Sequence, residues 1–212
     1  KHFGDTKRST PPEKWWLDEK PAPDLHVEKE ISSNRLSADT LLYSKFVDPA
    51  GMDMSIEMQG SFFIASSIYH SRINKAFLFD SLEYQTVRVE SYLAKNGDLE
   101  VVVLVIPMPE VEMKTARAKV DATFSEILQR PPTAQEIDTA RKTNAASMNN
   151  ASRRPASFLN FLKNVASDGL PPISPGVFAQ LIEDTTDEEV LSFLTTFAAP
   201  SATSIVYATA ED

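Results

Sequence analysis

Six consecutive apolar residues, Val101-Val102-Val103-Leu104-Val105-Ile106, constrain this chain more than any other stretch. The run is too short and too β-branched for a helix, so it reads as a strand in the core of a sheet, with no polar face. Upstream, Thr86 to Leu93 alternates: Val87, Val89 and Leu93 fall on one side, Arg88, Glu90 and Tyr92 on the other. That is the period of a half-buried strand. Asn96-Gly97 lies between the two runs and tolerates the positive φ that a two-residue hairpin turn needs. Leu99 to Ile106 should therefore return antiparallel to the first strand, closed by Pro107 and Pro109.

The apolar period then lengthens to about 3.6 residues. Met113, Ala116, Val120, Phe124, Ile127 and Leu128 form one stripe, opposite Glu112, Lys119, Ser125 and Glu126, which predicts a long helix lying across the sheet. It should stop at Arg130, before Pro131-Pro132. Thr133-Ala-Gln-Glu136 is a capping box, in which the threonine accepts from the N3 amide and the glutamate reaches back, so a second helix begins at once. Its stripe is Ile137, Ala140, Asn144 and Met148. The expectation is an α+β fold, a mainly antiparallel sheet with several helices packed on it.

The flanking segments extend this pattern. His26-Val27 and Thr40 to Phe46 are strand-like, with Ser32, Ser33 and Asn34 as loop residues between them. Met52, Met54, Ile56 and Met58 alternate as a strand would, while Met54, Met58, Phe62, Ala65 and Ile68 also fit a helix. After the central unit, Pro155 suits a first helical turn, and Phe158, Leu159, Phe161, Leu162 and Val165 form an apolar helix ending near Gly169. Val177 to Glu183 should be a short helix. Thr186-Asp-Glu-Glu189 is a second capping box, opening a helix that Pro200 stops. Ser204 to Thr209 reads as a last strand.

Composition removes several classes of chemistry. A formal charge of −9 and a sequence pI near 4.9 argue against nucleic acid or anionic lipid as the main partner. No run approaches the roughly 20 apolar residues of a membrane span. Zero cysteines remove disulfides, thiolate metal sites and thiol catalysis, without choosing a compartment. The six glycines stand singly, so there is no Gly-rich phosphate loop, and no G-x-S-x-G elbow offers a serine nucleophile. His70 has no partner ligands in sequence and suits a capping or surface role. Arg153-Arg154 is the basic pair of a polar loop, with solvation favoured over an anion site. Asp184, Asp187, Glu188 and Glu189 cluster where a helix macrodipole alone would put them. Nothing nominates a catalytic, metal or cofactor residue.

Residues 1–24 differ from the rest. Pro11, Pro12, Pro21 and Pro23 favour an extended linker, interrupted by Trp15-Trp16. A tryptophan pair on a polar arm is either an anchor that docks the linker on a lobe or a contact for another chain, and the cost of exposed aromatics favours docking.

The ordered set "SRINKAFLFD", two strands, a long helix and "RPPTAQEIDTARK" resembles a lobe of the insulinase and pitrilysin type zinc peptidases and of mitochondrial processing peptidase. In that family a Ser-Arg-Leu segment opens a helix and a Pro-Thr-x-x-Glu-Leu segment joins the long helix to the next. Here they read Ser71-Arg72-Ile73 and Pro132-Thr133-Ala134-Gln135-Glu136-Ile137. The likeness runs from about Val27 to Ala208. It favours a helix from about Gly51 to Ile68, yielding to another near His70, and a single lobe over residues 25–212. Lys1 to Asp5, "KHFGD", resembles the tail of a preceding lobe.

The same resemblance defines what is missing. The active lobe carries H-x-x-E-H, two histidine zinc ligands one turn apart with the glutamate as general base. The histidines here are His2, His26 and His70, far apart and without that glutamate. The arginine and tyrosine with which the second lobe often holds substrate would fall near Leu78 and Gln85. The resemblance thus implies a non-catalytic lobe forming part of a peptide-binding chamber, with no cofactor of its own. Its partners would be a peptide substrate and a zinc-bearing lobe, in the same longer chain or in another subunit. A structural or assembly domain without proteolytic role is the alternative, and an independent enzyme with an unrecognised site a third. A periplasmic or otherwise exported location is expected, with the cytoplasm left open.

Overall fold

Burial in one layer and hydrogen bonding in another position everything else. In the computed structural model, which describes residues 26–47, 56–78, 82–93, 99–167, 173–199 and 203–211, the strands are β1 (His26–Ser33), β2 (Thr40–Val47), β3 (Tyr84–Leu93), β4 (Leu99–Pro107) and β5 (Thr203–Ala210). The helices are α1 (Ile56–Leu78), α2 (Met113–Gln129), α3 (Ala134–Ser152), α4 (Pro155–Ser167), α5 (Pro175–Asp184) and α6 (Asp187–Ala198). The strands form a single sheet in the order β1-β5-β2-β4-β3. All its pairings are antiparallel except β1 with β5, which is parallel.

The expected hairpin is present as a register, Leu93 opposite Leu99 and Val89 opposite Val103, although Asn96-Gly97 lies outside the described residues. β4 runs between β2 and β3, yet its apolar residues are not equivalent. Val101, Val103 and Val105 are fully buried, whereas Val102, Leu104 and Ile106 are half-buried. The pleat sends alternate side chains to opposite faces, and the two faces have different neighbours. The face of Tyr43, Val103 and Ile205 lies under the helices: α1 and α2 contact the sheet, and α3, α5 and α6 pack on those two. On that side Phe124 of α2 stacks on Tyr43 and meets Tyr69 of α1. The opposite face carries Val27, Ile31, Leu42 and Leu104, with Leu42 36% exposed.

Helix α2 has the anticipated stripe, burying Ala116, Val120, Phe124 and Ile127, and its C-cap is Arg130. Leu128 departs from expectation: it is 47% exposed, because one residue beyond Ile127 turns it about 100° off the core. Both capping boxes form with both legs, Thr133 with Glu136 at α3 and Thr186 with Glu189 at α6. Each satisfies amides that a helix N-terminus otherwise leaves unpaired.

Three other readings are corrected. The segment around His70 is no boundary: α1 is continuous from Ile56 to Leu78, so Ser71-Arg72-Ile73 sits inside a helix and does not open one. Burial explains this. Ile64, Ala65, Ile68, Tyr69, Ile73 and Phe77 recur at helical spacing straight through His70 and are all buried. Residues 51–55, including Met52 and Met54, lie outside the described residues. Ser32 and Ser33 belong to β1, paired with Thr209 and Ala210, where β5 supplies hydrogen bonds that sequence alone did not disclose. In α4 the apolar residues are only partly used, Leu159 being 64% exposed.

Candidate functional site

The two segments that carry the sequence resemblance meet in space. Arg72 projects from α1 and forks onto Glu136, with Nε and Nη2 each 3.2 Å from a carboxylate oxygen. Its Nη1 donates to the Arg130 carbonyl at 2.8 Å, at the C-cap of α2. The same Glu136 accepts from the Thr133 amide at 3.0 Å. One guanidinium thus fastens the end of α2 and the start of α3 to the middle of α1, with Ile73 and Ile137 buried beside it. Burial would raise the Glu136 carboxyl, but Arg72 and the Thr133 amide outweigh it and hold the group below its usual range. Arg72 therefore contacts both a carboxylate and a helix end, and its role is to join helices.

Beside this clasp a hollow of about 540 Å³ opens between α1 and α3, lined by Ser67, His70, Ser71, Lys75, Thr139 and Thr143 among others. His70 Nε2 lies 3.1 Å from Ser91 Oγ on β3. Burial keeps the imidazole below its ordinary pKa, with Glu90 pulling weakly the other way, so His70 is neutral near pH 7. His26 is on the far edge of the sheet, against Thr203. His2 lies outside the described residues. Among the described residues no group of three or more histidines and carboxylates is placed to hold a metal ion. A zinc ion of the kind the family's active lobe holds therefore does not fit the side chains described.

The remaining candidates resolve as follows. Arg153 and Arg154 are both exposed; Arg153 is the C-cap of α3, and Arg154 lines an open depression with Lys142 and Asn150. In the acidic cluster Glu189 is committed to its capping box, Asp184 accepts from Gln180, and Asp187 pairs with Arg141. Arg141 also donates to the Thr185 carbonyl at 3.1 Å, tying α3 to the turn before α6. Trp15 and Trp16 lie outside the described residues. Leu78, at the end of α1, is 66% exposed, and Gln85, at the start of β3, is exposed too.

Sequence reasoning missed a polar network under the sheet. Tyr43 donates to Asp121 at 2.9 Å. Arg117 reaches Asp121 at 3.4 Å, Glu28 at 2.8 Å and the Tyr207 hydroxyl at 3.1 Å. Lys45 is only 5% exposed; its Nζ donates to the Ala199 carbonyl at 2.9 Å and lies 5.1 Å from the Phe124 ring centroid. Burial pushes the Lys45 amine down to about 8 despite Asp121, and burial followed by Asp121 pushes the Tyr43 phenol up. The available signal was a lysine alternating with Tyr43 and Leu41 in an apolar strand, which places it on the core side.

The two edges of the sheet are β3 and β1. An outer strand leaves a row of backbone N–H and C=O groups without a neighbour, which an extended chain can pair with. On β3, Val87 and Val89 pack against the core from the helix side, while Arg88 and Glu90 pair on the opposite face. β1 is exposed along almost its whole length.

No family model matches the sequence, and no curated protein matches it. Solved structures do. The chain is similar to the peptidase M16 inactive domain from Pseudomonas fluorescens, with a TM-score of 0.66 at 17% identity over 92% of this chain and 46% of that one. Against a protease from Helicobacter pylori the TM-score is 0.71 at 10% identity, over 91% and 48% of the two chains. Against the periplasmic protease PqqL from Escherichia coli it is 0.69 at 14% identity, over 91% and 22%. The chain thus spans about half or less of the length of these three structures. Its fold is that of an insulinase-type, M16-like peptidase lobe.

Proposed function

We propose that this chain is a non-catalytic lobe of an insulinase-like zinc metallopeptidase, walling part of a peptide-binding chamber opposite a metal-bearing lobe. The zinc belongs to that other lobe, in the same longer chain or in a partner subunit, and this lobe breaks no bonds itself. The observation that carries the reading is the outer edge of β3. That strand is paired along its length with β4 and held from beneath by Val87 and Val89, so its free edge is a rigid template. A peptide can add to it as a further strand through main-chain hydrogen bonds alone. With Leu78 and Gln85 where the family's arginine and tyrosine would fall, side chains contribute little to holding the substrate. The PqqL likeness supports a periplasmic or otherwise exported setting. No helix among the described residues is long and apolar enough to cross a membrane.

The test is to combine the chain with a metal-bearing insulinase-type lobe and follow peptide cleavage. The proposal expects cleavage to rise on addition of this chain, and cleavage indifferent to it would remove the chamber role. Metal analysis and a peptide assay on the chain alone address independent activity; bound zinc with turnover would overturn the reading.

One observation favours the alternative, a structural or assembly domain. Leu78 and Leu82 are 66% and 92% exposed at the end of the lobe where the substrate-holding pair would sit. Apolar residues there suit contact with another folded surface. An assembly that persists without any effect on cleavage would select this reading.

A further inference from the structure

Helix α1 turns successive sides to the core, to β3 and to α3. Tyr69 and Ile73 are fully buried, and Tyr69 meets Phe124 of α2. His70 and Phe77, seven residues apart and so nearly on one line of the helix, both touch β3. Phe77 lies edge-on to Tyr84, and His70 Nε2 is 3.1 Å from Ser91 Oγ. At about 100° per residue, Ser67, Ser71 and Lys75 follow His70 round the helix on the side turned away from Tyr69 and Ile73. Ser67 is met there by Asn144 of α3, whose Nδ2 donates to its hydroxyl at 2.7 Å. These four residues of α1, with Thr139 and Thr143 of α3, wall the hollow of about 540 Å³. Because β3 is the outermost strand and His70 joins it to the hollow, the hollow opens beneath the edge to which a peptide would add.

We infer that this hollow reads one side chain of the bound peptide and selects an acidic one, with Lys75 as the residue that sets the preference. The inference rests on the proposed β3 edge site and assigns what that site prefers. In a strand added to β3, the residue opposite Ser91 points to the same face of the sheet as Ser91, with the two Cβ atoms about 5 Å apart. Ser91 is on the helix side, against His70, so that peptide residue points into the hollow. Its two neighbours point to the opposite face, where Arg88 and Glu90 pair with each other. Inside the hollow Lys75 supplies the charge: it is exposed, and among the described residues no carboxylate pairs with it. Glu136, also on the lining, is matched by Arg72. His70 adds no charge near pH 7, since burial holds its pKa below the ordinary value. The serine and threonine hydroxyls can donate to a carboxylate. A net charge of −9 repels acidic peptides at long range, so the preference is for one carboxylate at one position and not for acidic peptides as a class. Main-chain pairing supplies most of the affinity, and the hollow adds the margin of a partly exposed ion pair.

The probe is a short uncharged peptide in which a single glutamate is walked from position to position, each peptide compared with its glutamine counterpart. Binding to the intact chain, combined with a zinc-bearing lobe stripped of its metal so that nothing is cleaved, is followed by fluorescence anisotropy. Amide exchange along Tyr84–Leu93 is recorded on the same samples. At one position glutamate should bind about two- to fivefold tighter than glutamine at low salt, with no preference at the two flanking positions and a smaller one as salt is raised. Lys75→Met should abolish the preference while leaving the glutamine peptide's affinity and the melting temperature unchanged. Lys75→Glu should transfer it to a lysine at the same peptide position. If glutamate and glutamine bind alike throughout the walk, or the preference survives Lys75→Met, the inference is wrong, while slowed exchange on β3 still upholds the edge. A preference removed by Arg88→Ala instead would place the carboxylate on the opposite face and overturn it as well. No slowing on β3 with any peptide would remove the edge reading, and the inference with it.

Discussion

Strands β3 and β1 are the two edges of one sheet, yet they are held by opposite means. β3 turns Val87 and Val89 toward the core and Arg88 and Glu90 away, the arrangement expected of a strand with one dry face. β1 turns Glu28 and His26 toward the helices and Val27 and Ile31 away; Glu28 pairs with Arg117 of α2, and His26 meets Thr203 of the neighbouring β5. The first edge is fixed by apolar burial, which is non-directional and hard to remove. The second depends on Arg117, whose guanidinium reaches Glu28 on β1, Asp121 on α2 and Tyr207 on β5. An edge backed by apolar burial can serve as a rigid template, whereas the other is tied to the sheet by its ladder with β5 and to the helix layer through Arg117.

The most damaging way to probe this contrast is to attack what both edges share. Val103 is fully buried on the helix side of β4, and Val103→Asp leaves an unpaired buried carboxylate costing several kcal/mol against a total of about 5–15 kcal/mol. No folded protein is expected, and a soluble variant with a cooperative melt would refute the placement of β4. Arg117→Ala separates the edges. Losing the pairs with the partly exposed Glu28 and Asp121 and the hydrogen bond to the Tyr207 hydroxyl should cost about 1 kcal/mol, and amide exchange should accelerate on β1 but not on β3. Equal acceleration on both strands would contradict the distinction.

Lys45, on β2 between the edges, gives a pH test. Its amine titrates near 8 in the folded chain, below its ordinary 10.5, so the unfolded chain binds more protons between those values. Stability should therefore rise as pH increases from about 8 to about 10.5, by at most on the order of 3 kcal/mol. Urea melts of Lys45→Met should lose that slope. The smallest effect belongs to Glu136, whose carboxyl is lowered on folding. Its contribution is present above the unfolded pKa and fades as pH falls through the folded one. Glu136→Gln should cost about 1 kcal/mol at pH 7 and show less of this acid sensitivity in thermal melts.

The contrast also separates what the sequence discloses from what it hides. The β3–β4 hairpin, α2 and both capping boxes are legible because their determinants are local: alternation, a 3.6 period, and a threonine three residues before a glutamate. β1 is legible only at its start, His26-Val27; its extent to Ser33 is hidden because its partner, β5, lies at the other end of the chain. The same non-locality conceals the join between Arg72 and Glu136, although each lies in a segment that carries the resemblance. The continuity of α1 is hidden by the resemblance, which implies a helix start at Ser71, and the buried apolar series from Ile64 to Phe77 decides it. Reading Val101 to Ile106 as uniformly buried missed that an apolar run also suits a sheet with one face under helices and the other half-buried. Lys45 shares the alternation of Leu41 and Tyr43, so its side of the strand is legible, but the Ala199 carbonyl that accepts its hydrogen bond is distant in sequence.

The lobe's proposed work rests on the β3 edge, and amide hydrogen exchange reads that edge residue by residue. With an extended, uncleaved peptide added to the chain together with a metal-bearing lobe, exchange should slow at alternate amides of Tyr84–Leu93 and stay unchanged along His26–Ser33. Protection confined to His26–Ser33, or absent from both strands at saturating peptide, would contradict the account.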